Sequence, residues 1–425
     1  MQDRKIISTP PLFQMNTQEI IAITIVLAAI FAYINHRFIK WPPTIGIMAL
    51  SLISSILLVS LGSSRSLLSE KAISLATSVD FQDVLMNFML SFLLFAGAIH
   101  IDAGKLRAER LPVLILATVG ILISTFVVGI LVYFLFGWFN IPIPLIYSLL
   151  FGALISPTDP IAVLGILKKA NIPASLELKI SGESLFNDGV AVVVFVSLAE
   201  IARSTTGDFS IISISKLFLI EALGGLFFGL LLGYIGYLAL KSIDDYKVEV
   251  LITLAIVTGG YFLAGRLHVS GPLAMVIAGI FTGNKSRREG MSDLTRDYLG
   301  KFWEMIDEIL NAVLFLFIGV EMLIIKVEST VFWIGVISIA IVLLARWVSV
   351  IIPVSLMRFK VKFEKHAVTI MTWGGLRGGI SVALALSLSP AMYREQFVLI
   401  TYIIVVFSIL VQGLSIGKLA KRLGF

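Results

Sequence analysis

Glu183, Ser184, Asn187 and Asp188 stand in the stretch 182-GESLFNDGVAVVVF-195, where a polar and acidic cluster runs straight into an apolar block. Ser184 and Asp188 are i,i+4 neighbours, as are Glu183 and Asn187, so on a helix each pair shares a face. Another carboxylate, Asp159, follows Thr158 in 156-SPTDP-160. A hard cation such as sodium prefers oxygen ligands: carboxylate, hydroxyl, backbone carbonyl and water. Asp188, Ser184, Asp159 and Thr158 could face one small oxygen-lined pocket of that kind.

The rest of the chain says where such a pocket would lie. It has 425 residues, 58% hydrophobic and only 14% charged, against about 25% charged in a water-soluble globular chain. Too few Lys, Arg, Asp and Glu are present to cover a soluble surface, so the expected class is an all-α integral membrane protein with several spans. No separate soluble domain and no cytosolic regulatory tail are expected. Cysteine is absent, which excludes disulfides and thiolate metal sites. The basic residues are scattered over loops, so nucleic acid is not an expected partner. The N-terminus lacks a signal-peptide pattern, and the first apolar segment is expected to remain as a span.

A span needs roughly 20 apolar residues. Thirteen candidates lie at about 18–38, 42–61, 81–101, 111–136, 145–169, 178–202, 212–240, 246–267, 271–284, 299–325, 330–357, 364–390 and 396–417. Loops after odd-numbered spans carry most of the Lys and Arg, among them Lys105, Arg107, Arg110, Lys168, Lys169 and Lys179. That excess puts those loops in the cytoplasm, the N-terminus outside and the C-terminus inside. Arg346 and Arg377 fall inside spans, where a charge is costly enough to need a reason.

Counting at 1.5 Å per residue places Asp188, Asp159, Arg346 and Arg377 at one depth, near the middle of the bilayer. Two spans are interrupted there. Pro157 and Pro160 flank Asp159 in span 5, and Gly374, Gly375, Gly378 and Gly379 surround Arg377 in span 12. Asp159 followed by Pro160 reads as a helix N-cap and first helical position. Unwound backbone at that depth survives only if buried in protein or lining a wet cavity. A repeat of spans 1–6 and 8–13 would superpose the two broken spans upside down, so that they cross at the midplane, the build of a secondary transporter.

The remaining intramembrane groups have structural readings. Glu183 and Arg346 at matching depth form an expected ion pair, since two charges in low dielectric demand each other. Arg377 is expected to offset the exposed carbonyl ends of span 12. Asp159 is expected to cap a half-helix, bind the cation, or both, and Asn187 to bridge broken backbones. Asp188 has no such role: no proline follows it and no intramembrane base remains to neutralise it. Glu304, Asp307, Glu308 and Glu321 read as the amphipathic start of span 10 rather than a cation funnel. His36, His100, His268 and His366 sit near span ends as solvated residues, and 62–80 reads as an amphipathic linker. Glycines at 224, 225, 229 and 233 lie within a span and serve helix packing, not a nucleotide. No nucleophile–base set appears at the midplane, so neither an enzyme nor a cofactor is expected.

The motifs SPTDP, GESLFNDGVAVVVF and GGLRGGISVALAL resemble the NhaP/NHE-type branch of the monovalent cation:proton antiporter superfamily, over essentially the whole chain. The resemblance implies thirteen transmembrane helices and a homodimer in the cell membrane, with a mobile core (about 111–202 and 330–417) moving against a dimerisation scaffold (about 18–101 and 212–325). It implies that Asp159 and Asp188 exchange cation for proton, with Thr158 and Ser184 as further ligands. Asn187 would stabilise the broken helices and Glu183 would pair with Arg346. In that family a paired Asn-Asp, here Asn187–Asp188, goes with electroneutral one-for-one exchange; the resemblance thus implies exchange of sodium, or lithium, for protons, and a part in pH homeostasis. In many relatives a glutamate follows LLF in span 3, where this chain has Ala96, so water or another group would have to take its place. Potassium/proton exchange on the same fold is the nearest rival, and an organic-anion symporter or a channel are further ones.

Overall fold

The computed structural model describes residues 16–61, 81–159, 161–203 and 211–425, and every element of it is helical apart from one isolated backbone bridge. The linker reading for 62–80 and the proline at 160 lie outside the described residues. The main helices are α1 Thr17–Ile34, α2 Pro43–Leu61, α3 Leu90–Ile99, α4 Ile121–Trp138, α5 Leu145–Ile155, α6 Ile161–Lys169, α7 Ala174–Arg203, α8 Ile211–Lys241, α9 Tyr246–Arg266, α10 Gly271–Phe281, α11 Asp293–Glu321, α12 Ser329–Met357, α13 Ala367–Trp373, α14 Gly379–Leu386, α15 Arg394–Phe407 and α16 Leu414–Arg422. Helix occurs within each apolar segment read from the sequence. Among the described residues eight helical stretches are long and apolar enough to cross a membrane, and Leu145–Ile155 is a shorter apolar helix.

The chain divides into two compact units. The smaller comprises Met1–Phe81 and Ala312–Ile325. Within it Asn16 opens α1 with a reciprocal capping box to Glu19. Ala28, Ile47, Leu316 and Val320 form its apolar seam. Ser51 and Ser55 donate to the carbonyls of Leu316 and Gly319 at 2.7 and 2.8 Å. A Cβ on Gly319 would lie 2.2 Å from the Ser51 hydroxyl oxygen, so a glycine there lets the two helices close to hydrogen-bonding distance.

The larger unit, Gln82–Asn311 with Lys326–Phe425, holds every residue of the candidate pocket. Among the described residues an apolar cluster of this unit gathers Phe92 and Phe95 of α3, Met275 of α10 and Trp303 of α11. Leu185 and Phe186 of α7 and Ile380 of α14 pack on the same cluster. Ala96 is fully buried there and offers no side-chain oxygen. The interruptions expected in spans 5 and 12 are present: helix stops at Ile155 and resumes at Ile161, and stops at Trp373 and resumes at Gly379. Gly374 caps α13 and Gly378 precedes α14 in extended geometry.

Candidate functional site

The two interruptions lie against each other. The Asp159 backbone N–H donates to the Leu376 carbonyl at 2.8 Å, a single antiparallel bridge between two stretches of unwound chain. Each stretch has polar backbone groups that helix cannot satisfy, and a low-dielectric interior makes an unpaired one cost several kcal/mol. Side chains from three other helices answer that demand.

For span 5 the partner is α7. The Asn187 amide donates to Thr158 Oγ1 at 2.8 Å, and its carbonyl oxygen accepts the Thr158 backbone N–H at 3.4 Å. Ser184 donates its hydroxyl to the Thr158 carbonyl. Asn187 therefore ties α7 to one broken backbone, and no bond from it to the span 12 break is present among the described residues. For span 12 the partner is the π-helical turn Ser408–Gly413. Ser408 accepts the Arg377 backbone N–H at 2.9 Å and donates to Gln412 Oε1 at 2.8 Å. Gln412 in turn donates to the Trp373 carbonyl at 2.9 Å. Neither Ser408 nor Gln412 was singled out in the sequence, although their i,i+4 spacing in an apolar run is a signal of this kind.

Arg377 departs from its expected role. Its guanidinium donates to the carbonyls of Ser156 and, at 2.9 Å, Pro157. It caps the carbonyl end of α5, not that of its own span. The physical reason is the crossing: the C-terminal end of α13 is already served by Gln412, and by Arg346 Nε donating to the Met371 carbonyl at 3.2 Å. The free carbonyls within reach of Arg377 belong to the other broken helix.

Glu183 and Arg346 form a two-pronged ion pair, with Nη2 to Oε2 at 2.9 Å and Nη1 to Oε1 as the second contact. Both side chains are buried. A Cβ on Gly375 would lie 2.5 Å from Arg346 Nε, so a glycine at that place lets the guanidinium lie against the unwound chain.

Asp159 and Asp188 remain. Both are partly exposed, whereas Thr158, Ser184 and Asn187 are buried. The two carboxylates lie close enough to interact electrostatically. Among the described residues no basic side chain or hydrogen-bond donor reaches Asp188. Asp159 packs tightly: a Cβ on Gly378 would lie 2.6 Å from its Oδ2. The start of α6 at Asp159–Pro160 lies partly outside the described residues.

Another charge is buried where the sequence pattern puts a loop. Lys179, counted among the cytoplasmic loop charges, has a side chain with 0% exposure. It lies 3.3 Å from both Glu109 and Glu364 and donates to Ser175 at 2.7 Å. The helix begins at Ala174, earlier than the apolar pattern marks it, so that Ser175 and Lys179 stand one turn apart on it and hydrogen-bond.

Two interrupted helices bridged beside acidic side chains, in a chain whose described elements are helical and include several apolar enough to span a membrane, fit the build of a membrane secondary transporter. The sodium/hydrogen exchanger transmembrane family matches residues 25–422, and the chain belongs to that family. The Na(+)/H(+) antiporter NhaP of Pseudomonas aeruginosa is 47% identical over 415 residues, 95% of this chain and 96% of that protein. The Na(+)/H(+) antiporter NhaH of Halobacillus dabanensis is 37% identical over 350 residues, 81% of this chain and 84% of that protein. The solved structure of the sodium proton antiporter MjNhaP1 from Methanocaldococcus jannaschii aligns with a TM-score of 0.75 at 20% identity, covering 97% of this chain and 100% of that one. This last likeness is one of fold.

Proposed function

We propose that this chain exchanges sodium for protons across the cell membrane, with Asp188 and Asp159 as the carboxylates that hold cation and proton in turn. The observation that carries the reading is Asp188 itself. It stands beside Asp159 at the crossing of two broken helices, and no basic partner reaches it among the described residues. A carboxylate so placed can be neutralised by a sodium ion or by a proton but not stably by both. Carrying the empty, charged site across the barrier is costly, so outward movement of one guest requires return of the other.

Asp159, Asp188, Ser184 and Thr158 supply the oxygen ligands for the transported sodium. Ser184 keeps lone pairs for a cation while its proton is engaged with the Thr158 carbonyl. Asn187, Glu183, Arg346 and Arg377 hold the frame. The transporter works by alternating access, electroneutrally, in thirteen transmembrane helices built as an inverted repeat. The core helices (about 111–202 and 330–417) move against a scaffold (about 18–101 and 212–325) that forms a homodimer. The N-terminus lies outside and the C-terminus in the cytoplasm. Relatives named as sodium antiporters favour sodium over potassium as the cargo. The pairing of the intramembrane arginines, with Glu183 and with backbone carbonyls, weighs against an organic-anion symporter.

Proteoliposomes with a pH-sensitive dye inside test this. The parent protein moves protons when sodium is added, and Asp188→Asn, nearly isosteric, abolishes that movement while the protein stays folded. Sodium-driven proton flux persisting in Asp188→Asn vesicles rejects the assignment.

A further inference from the structure

The sequence pattern makes the acidic start of α11 a solvated amphipathic face. Glu304 and Glu308 fit that reading, being exposed, but Asp307 does not. Trp303 is fully buried, its ring 4.7 Å from Phe95 and 6.0 Å from Phe92. Asp307 follows one turn later and Asn311 another turn on, so the three share one face of the helix. That face meets the apolar cluster to which Leu185, Phe186 and Ile380 contribute. Leu185 and Phe186 sit between Ser184 and Asn187 on α7, and Ile380 is two residues beyond the Gly378 that packs on Asp159. The inward stripe of α11 thus runs beside the ion pocket, and Asp307 is within electrostatic range of the Asp159 carboxylate.

Asn311 supplies a separate observation. It is 2% exposed, and its amide nitrogen donates to the Asp307 carbonyl at 2.8 Å and to Asp307 Oδ1 at 3.1 Å. Its own oxygen is buried with no hydrogen-bond partner. A buried acceptor without a donor calls for a positive or donating guest. No cation of the protein fills that need: among the described residues no Lys, Arg or His pairs with Asp307. A carboxylate oxygen and an amide oxygen, one turn apart, are hard ligands of the type alkali cations take. On α3, Ala96 contributes none.

We infer that Asp307 and Asn311 form a second cation station beside the Asp159–Asp188 pocket, which holds sodium and raises its occupancy of the exchange site. This rests on the exchange reading given above. Its signature is a split in the kinetics: the station sets the sodium concentration needed, not the rate of the loaded transporter.

Sodium titrations of exchange in proteoliposomes test it. Asp307→Asn raises the apparent KM for sodium about tenfold with the maximal rate unchanged, and Asp307→Glu recovers most of the affinity. Asn311→Leu, which removes the unpartnered oxygen at similar volume, also raises KM and reads the station independently should Asp307→Asn fail to fold. Glu308→Gln, on the exposed face, leaves KM at the parent value. The inference is overturned by an unchanged KM in Asp307→Asn, by a fall in maximal rate alone, or by an equal KM rise in Glu308→Gln. Asp188→Asn in the same vesicles separates the two readings: its inactivity keeps the exchange assignment whatever Asp307 does.

Discussion

The Arg377 guanidinium donates to the Pro157 carbonyl at 2.9 Å, so a side chain from one interrupted helix caps the carbonyl end of the other. The two breaks are thereby one structural unit. A helix end buried without partners leaves up to four carbonyls bare, and at this depth water is not a free substitute. Charge-assisted bonds of this kind contribute about 1.5–3 kcal/mol each.

Removing that cap has a defined cost. Arg377→Ala leaves the Ser156 and Pro157 carbonyls unserved and should destabilise the folded protein by about 3 kcal/mol. Arg377→Lys, with one ammonium in place of a fork, should fall between the parent and the alanine variant. Thermal unfolding in detergent reads both. Equal midpoints for parent and Arg377→Ala would mean that the cap adds nothing.

Gly378 is where close approach matters most for the exchange site. An alanine Cβ there would lie 2.6 Å from Asp159 Oδ2 and 2.7 Å from Asp159 Cβ. The aspartate has to move, and small displacements of a reacting group are expensive in rate. Gly378→Ala should slow exchange at saturating sodium about tenfold or more. Gly165→Ala, where a Cβ meets nothing within 4 Å, should leave the rate alone. Full activity in Gly378→Ala contradicts the placement of Asp159 as a ligand.

The Lys179 cluster lends itself to a stability cycle. With Lys179→Met, Glu109 and Glu364 lose the ammonium 3.3 Å from each of them. The loss should be about 3 kcal/mol, less than for a sealed pair because both glutamates keep some contact with solvent. Neutralising all three residues together, as Lys179→Met with Glu109→Gln and Glu364→Gln, should recover most of it, since the cost comes from unpaired charge. A triple variant no more stable than Lys179→Met alone would show that packing of the lysine stem, not its charge, is what counts.

Much of this protein was legible in the order of its residues. Apolar runs marked where helix would form, because lipid and core both exclude charge. Pro157, Pro160 and the four glycines around Arg377 marked where helix would fail, because a missing N–H or a missing Cβ acts on the residue that carries it. The i,i+4 spacing sorted Ser184 with Asp188 and Glu183 with Asn187, since helical geometry depends only on separation along the chain. Partners from other helices followed a different rule. Arg377 serves α5 instead of its own span, Lys179 is sealed between two glutamates, and Asp307 turns inward while Glu304 and Glu308 turn out. Each of these depends on which helix face lies opposite once the bundle has packed. That choice is made by contacts between residues far apart in sequence, such as Trp303 against Phe95, and no local pattern encodes it.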